Sequence, residues 1–195
     1  MRDLYNNKVY LLNLIIIVLA WSASSSCFYI IGFYVKYLPG DAFMNIIVTS
    51  VADAISSIVA GSISTAIGAK NTLFMSFSLA TIGAIALMFS GDEKYLIVCF
   101  VMITRFGINS AFTLCYIITA DYFPAIVTSR VFGICNVFSR FATILSPMIA
   151  ELEPPIPMII YSIVCTITMI SSLGLTKSEE ITEAIKDIDD SISYH

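Results

Sequence analysis

Three charged residues lie in the middle of long apolar segments: Asp53, Arg105 and Arg140. A charge at the centre of a membrane span costs about 2.5–3.5 kcal/mol, so such residues normally face a bundle interior or a water-filled cavity. Each is therefore a candidate functional residue, and the alternative is a structural ion pair. Asp53 can pair with either arginine, and we expect its partner to be Arg105. Arg140 is then left to bind a carboxylate through paired hydrogen bonds, and we predict that it is the chief ligand-recognition residue.

Aromatic and polar residues share the segments that hold these charges. Trp21 and Tyr29 flank a run of serines in the first segment, and Asn109 and Tyr116 follow Arg105 in the fourth. Small and hydroxyl residues of this kind often serve close helix packing. Aromatic faces with a few polar groups also suit the wall of a cavity for an amphipathic organic molecule. The predicted substrate-binding residues are Arg140, Arg105, Asp53, Tyr29, Asn109, Tyr116 and Trp21.

The composition of the chain indicates that the bilayer is its solvent. Hydrophobic residues make up 58% and charged residues 12% of the sequence, and the mean hydropathy is +0.89. A soluble domain is about a quarter charged. A helix crosses the hydrocarbon core in about 20 residues, and the apolar runs here are continuous, unlike the alternating strands of a barrel. We predict an all-α membrane protein with six transmembrane helices at about 9–35, 43–68, 72–90, 95–120, 131–150 and 157–175.

The distribution of lysine and arginine between the loops predicts the orientation of the chain. Cytoplasmic loops carry an excess of these residues. One side would hold Arg2, Lys8, Lys70, Arg130, Lys177 and Lys186, and the other only Lys36 and Lys94. Both termini are therefore predicted to be cytoplasmic. The predicted organisation is a cytosolic segment at 1–8, a transmembrane bundle at 9–175 and an acidic cytosolic tail at 176–195, which forms either a weakly amphipathic helix or a solvated tail.

Several kinds of chemistry are not expected. Five cysteines stand singly within apolar runs, and one histidine ends the chain, so we predict no metal site, disulfide framework or cofactor. No cluster of His, Cys or paired carboxylates at an interface suggests an enzyme. The net charge of −4 comes from the acidic tail, so no nucleic-acid partner is expected. No phosphate-binding loop for ATP is present in the sequence.

One segment resembles a known family. Residues 105–124 resemble helix ten and the following loop of the organic cation/anion transporters of the major facilitator superfamily. Thr119, Ala120, Asp121 and Pro124 match the family pattern, with Asp121 in place of a glutamate. Residues 133–147 resemble helix eleven, where Arg140 stands at a position that is basic in many anion carriers. The resemblance covers about residues 14–149 and implies half of a twelve-helix bundle, built as two inverted three-helix repeats.

The same resemblance implies a set of cytoplasmic gating residues: Asp121, Pro124, Arg130, Gly68 and Lys70. The sequence departs from the family here, because residues 65–70 lack the usual acidic and double-arginine pattern and Thr128 replaces an expected arginine. We therefore keep two hypotheses. The first is the C-terminal half of a transporter, or a fragment of one, which moves a small organic anion or zwitterion by alternating access together with a second six-helix half. The second is a non-transporting paralogue or membrane scaffold that keeps the fold.

Overall fold

The computed structural model describes residues 8–34, 42–90, 93–123, 125–153 and 155–176. The rest of the predicted N-terminal segment and acidic tail, and Pro124, lie outside these described residues. The helices are α1 (Lys8–Tyr34), α2 (Ala42–Ile67), α3 (Ala69–Met88), α4 (Lys94–Tyr122), α5 (Ala125–Ala150) and α6 (Ile156–Ser172). Five of them are long and apolar enough to cross a membrane, and α6 is an apolar helix of 17 residues. The predicted all-α membrane bundle is confirmed.

The helix ends differ from the predicted spans by three residues or more at three places. The helices α3 and α5 begin at Ala69 and Ala125, before the predicted starts at 72 and 131. The predicted starts lie just inside the charges at Lys70 and Arg130, but backbone hydrogen bonding continues past a charge into the interfacial layer. The helix α6 ends at Ser172 rather than near 175. There the amides of residues 173–175 donate to carbonyls three residues back, at 3.0–3.2 Å, which closes the last turn tightly.

Glycines bring α3 and α4 into backbone contact. A Cβ atom placed on Gly107 of α4 would lie 2.6 Å from the amide nitrogen of Ala80 on α3. A Cβ atom placed on Gly83 of α3 would lie 2.9 Å from the amide nitrogen of Thr104 on α4. Side chains larger than hydrogen do not fit at either position, so these glycines set the distance between the two helices.

The main helix contacts follow a repeated pattern. Helix α1 packs mainly against α5, α4 and α6, while α4 packs against α3, α2 and α1, and α3 also packs against α6. These main pairs map onto one another when the first three helices are exchanged with the last three. That is the pattern that two three-helix repeats would produce.

Two faces of the bundle remain largely uncovered. Within the span windows of α2 and α5, 17% of the residues are buried, compared with 56% for α1. Exposed apolar side chains on these faces include Phe43, Ile47, Phe138, Phe141 and Met148. The core, by contrast, lies among α1, α3 and α4, where Trp21, Phe77 and Leu114 are fully buried or nearly so.

Candidate functional site

The predicted ion pair between Asp53 and Arg105 is present. The Nε atom of Arg105 donates to both carboxylate oxygens of Asp53 at 3.1 Å, and one terminal nitrogen donates to Oδ2 at 2.7 Å. The side chain of Arg105 is 12% exposed and that of Asp53 is 17% exposed. Charge-assisted, forked hydrogen bonds of this kind are among the strongest side-chain contacts. The expectation that Asp53 pairs with Arg105 is therefore confirmed.

Helix α1 closes over the guanidinium group of Arg105. The guanidinium carbon lies 5.0 Å from the centre of the Phe28 ring, within the range of a cation–π contact. One turn further along α1, a Cβ atom on Gly32 would lie 3.4 Å from a terminal nitrogen of Arg105. The guanidinium group therefore fits beside α1 only if the residue at position 32 is small. The charge of Arg105 is thus met by a carboxylate on one side and an aromatic face on the other.

Asn109 fixes α2 next to α4. Its amide nitrogen donates to the backbone oxygen of Asp53 at 2.7 Å, to Ser56 Oγ at 2.7 Å and to Ser57 Oγ at 3.0 Å. Thr113 adds a hydrogen bond to Ser57 Oγ at 3.1 Å. Asn109 was predicted as a substrate-binding residue; in the structure it is 8% exposed and its donors are directed at α2. Its position supports a role in holding Asp53.

A run of aromatic side chains extends from Arg105 toward α5. Phe28 stacks on Phe112 at 6.3 Å, Phe112 meets Tyr116 edge-on at 5.4 Å, and Tyr116 lies 5.9 Å from Phe132. Tyr29 contacts Phe28 at 5.9 Å. Tyr29 and Tyr116 are 41% and 44% exposed, so this aromatic run presents two phenol side chains on the outer surface of the bundle.

Trp21 lies behind the aromatic run. It is 1% exposed, its indole nitrogen donates to Thr119 Oγ1 at 3.1 Å, and its ring lies 4.4 Å from that of Tyr116. Trp21 is thus enclosed by its neighbours, and its predicted role in binding a solute stays a prediction. Its hydrogen bond and its buried ring support the alternative role in packing α1 against α4.

Arg140 stands on the uncovered face of α5. It is exposed, and within the described part of the chain no hydrogen bond or ion pair engages it. Phe132, Asn136 and Arg140 follow one another at intervals of four residues, so they share one face of α5. Because Phe132 contacts Tyr116, that face adjoins the aromatic run.

The two arginines lie at similar depths. The chain reverses direction between α4 and α5. The eight residues from Phe132 to Arg140 therefore run about 12 Å along the helix axis, toward the level of Arg105. Arg105 lies about 16 Å from the level of Tyr116 in the same direction. One neutralised and one unpaired arginine, among the described residues, therefore lie at similar depths on the same side of Tyr116 and Phe132.

The predicted gating residues are spread over the predicted cytoplasmic end. Asp121 and Arg130 are exposed near the α4–α5 connection, and Pro124 lies outside the described residues. Gly68 has a φ angle of 90° between α2 and α3, a left-handed conformation that favours glycine. Lys70 donates through Nζ to the carbonyl oxygen of Leu175 at 2.7 Å, which joins α3 to the end of α6. The gating role of these residues remains a prediction.

Some residues of the site were not predicted from the sequence. Phe28, Phe112 and Phe132 line the aromatic run but are three of 13 phenylalanines in the chain. The spacing of Phe112 and Tyr116, which places them on one helix face, was the one available signal. Within the described residues, no group of three or more His, Cys, Asp or Glu side chains is placed to hold a metal ion.

Six apolar helices, with an ion pair held between α2 and α4, define a multi-pass integral membrane protein. No family model matches the chain. It is similar to solute carrier family 22 member 16 of Xenopus laevis, with 27% identity over 93% of this chain and 34% of the relative. It is also similar to organic cation/carnitine transporter 2 of Homo sapiens, with 26% identity over 83% and 30% of the respective lengths.

A third relative is the organic cation transporter protein of Drosophila melanogaster, with 25% identity over 89% of this chain and 33% of the relative. The predicted resemblance to organic-ion transporters of the major facilitator type is therefore confirmed. The chain spans about a third of the length of these relatives. All three are named as transporters or solute carriers rather than as enzymes.

Proposed function

We propose that this chain forms the C-terminal six-helix half of a transporter for small organic anions or zwitterions. The observation that carries this proposal is the difference between its two arginines. Asp53 neutralises Arg105, whereas Arg140 has no partner among the described residues and lies on an uncovered face. An unpaired charge at that depth is costly in lipid, and a carboxylate on a solute would neutralise it.

The aromatic run supports a zwitterion as one class of solute. Tyr29 and Tyr116 are exposed beside the half-buried phenylalanine rings, and aromatic faces attract ammonium groups. One relative is named as a carnitine transporter, and carnitine carries both a carboxylate and a quaternary ammonium group. In this proposal Arg140 binds the carboxylate, and the aromatic run binds the cationic or apolar end of the solute.

Replacing Arg140 by alanine tests the proposed role directly. In vesicles that contain the chain with its second half, Arg140→Ala should weaken binding of a small organic carboxylate by about 1.5–3 kcal/mol, the value of hydrogen bonds to a charged group. Arg140→Lys should recover part of this, because an ammonium group lacks the planar fork of a guanidinium. Binding of the corresponding neutral amide is the control and should change little. Unchanged carboxylate affinity in a folded Arg140→Ala protein would show that the arginine is structural.

Alternating access needs a second bundle, and the uncovered faces of α2 and α5 are the proposed contact with it. Transport sites of this type lie at the interface of two halves. Alone, the chain would present Arg140 to lipid at a cost of several kcal/mol. We expect the isolated chain to pair with another bundle or to be degraded, and to show no uptake as a monomer. Saturable uptake by a demonstrably monomeric chain in liposomes would contradict this.

The proposed orientation places both termini in the cytoplasm. In a protein whose exposed Cys99 is replaced by serine, Gly40→Cys should react with an impermeant thiol reagent added outside. A cysteine at Ala69 would be uninformative, because this position is 8% exposed. Asn71→Cys, at an exposed position near the start of α3, is the better inner site and should stay unlabelled until the membrane is opened. The reverse labelling pattern would invert the topology.

A non-transporting scaffold remains the second candidate function. One observation favours it: Lys70, at the position where the family carries a basic gating residue, is engaged by the carbonyl oxygen of Leu175. A lysine bound to the end of α6 stabilises the half bundle itself. If the chain is a scaffold, Lys70→Ala should lower the stability of the bundle, and there is no transport activity for it to change. In the transporter reading, it also alters the rate of uptake.

A further inference from the structure

A long apolar groove lies between α2, α3 and α4, away from Arg140. Its volume is about 420 Å³. Aliphatic and aromatic side chains form most of its wall, among them Val59, Ile63, Met75, Leu79, Ile82 and Phe106. Met75 and Ile82 are more than half exposed, so the groove opens on the outer surface of a membrane-spanning part of the bundle.

Most hydroxyl groups that line the groove donate their hydrogen bonds to backbone carbonyl oxygens of the helices. Thr72 Oγ1 donates to the carbonyl oxygen of Gly68 at 2.9 Å, and Ser78 Oγ donates to that of Phe74 at 2.8 Å. Ser110 Oγ donates to the carbonyl oxygen of Ser56 at 3.3 Å. A polar molecule would find few free partners in this groove, whereas a hydrocarbon chain needs none.

The length of the groove matches one leaflet of the bilayer. Its wall on α3 runs from Thr72 to Ile82, and ten residues of helix span about 15 Å. The hydrocarbon core is about 30 Å thick, so the groove covers about half of it. It begins one turn after the start of α3 at Ala69, which places it in the leaflet next to that helix end.

The groove also coincides with a gap in packing. The contact of α2 with α3 is much less extensive than that of α2 with α4, which includes the Asp53–Arg105 ion pair and the hydrogen bonds of Asn109. We propose that one acyl chain of a bilayer phospholipid occupies the groove between α2 and α3. The bound chain packs α2 against α3 and so helps to keep Asp53, on α2, next to Arg105.

Photocrosslinking tests this site. The full chain is reconstituted in phosphatidylcholine vesicles that contain a small fraction of phosphatidylcholine with a diazirine on one acyl chain, and crosslinks are mapped by mass spectrometry. We expect several-fold more crosslinking at Met75 and Leu79 than at Ile163 and Ile170 of α6. The α6 positions are 53% and 59% exposed, against 55% and 37% for the groove positions, so exposure does not favour the groove.

A variant that fills the groove gives the second arm of the experiment. Val59→Phe should lower crosslinking at Met75 several-fold and leave labelling of α6 unchanged, whereas Ile163→Phe, the matched control outside the groove, should leave Met75 labelling unchanged. If Val59→Phe does not fold, Leu79→Phe fills the groove from α3. Labelling in proportion to exposure, or labelling at Met75 that survives both variants, would overturn the proposal and indicate ordinary surrounding lipid. The result does not depend on Arg140 or on transport.

Discussion

Replacing Asp53 by alanine should lower the free energy of unfolding of the bundle by about 3–5 kcal/mol, the range for a buried ion pair that loses one partner. The reason lies in the surroundings of Arg105. Its side chain is 12% exposed and its guanidinium group packs under Phe28, so without Asp53 it would hold a positive charge in an apolar environment. Thermal unfolding of the full chain in detergent micelles, followed by loss of helical signal, measures the change.

Two further variants separate the ion pair from other effects of Asp53→Ala. Glu153→Ala removes an exposed acid between α5 and α6 and should change stability by less than about 0.5 kcal/mol. The double variant Asp53→Ala, Arg105→Met removes both charges and should recover much of the lost stability, because a neutral side chain of similar shape needs no counter-charge. If the double variant is as unstable as Asp53→Ala alone, the carboxylate acts through something other than the charge of Arg105.

The second large effect is expected at Gly107. A methyl group there would lie 2.6 Å from the amide nitrogen of Ala80 and 2.9 Å from the carbonyl oxygen of Ser76, both backbone atoms that cannot rotate away. Gly107→Ala should therefore push α3 and α4 apart and cost about 1–3 kcal/mol. The same micelle assay measures it.

Gly133 provides the matched control for Gly107. A Cβ atom placed on this glycine of α5 meets nothing within 4 Å among the described residues. Gly133→Ala should therefore be neutral, or stabilise by up to about 1 kcal/mol through improved helix propensity. Equal effects at both glycines would mean that the close approach of α3 and α4 does not limit stability.

The sequence was sufficient for the existence and order of the helices because a continuous apolar run is a strong signal for a span. It was less informative about helix ends, as at Arg130, because a charge marks the edge of the hydrocarbon and not the end of a helix. It indicated Asp53 as a partner for one of the arginines, because Asp53 is an acid near the middle of an apolar segment, but only the packing of α2 against α4 shows that this arginine is Arg105.

The rotation of each helix could not be read from the sequence. Helix α1 is apolar on nearly all sides, so no amphipathic face indicates which residues point inward. Trp21 and Tyr29 were therefore grouped together, although one is 1% and the other 41% exposed. Phe28 was missed for the same reason, since only the packing of α1 over α4 reveals that its ring covers Arg105.

The burial of α1 by helices late in the chain has a consequence for synthesis. Thr119, which accepts the hydrogen bond of the Trp21 indole, lies 98 residues later in the chain. Ser146, which donates to the carbonyl oxygen of Ser26, lies 120 residues after Ser26. At a translation rate of about 5–20 residues per second, the indole of Trp21 waits roughly 5–20 s for Thr119 to be made. Throughout that interval neither of these two hydrogen bonds of α1 can form. The packing of α1 within this chain is therefore completed only when α4 and α5 have been made.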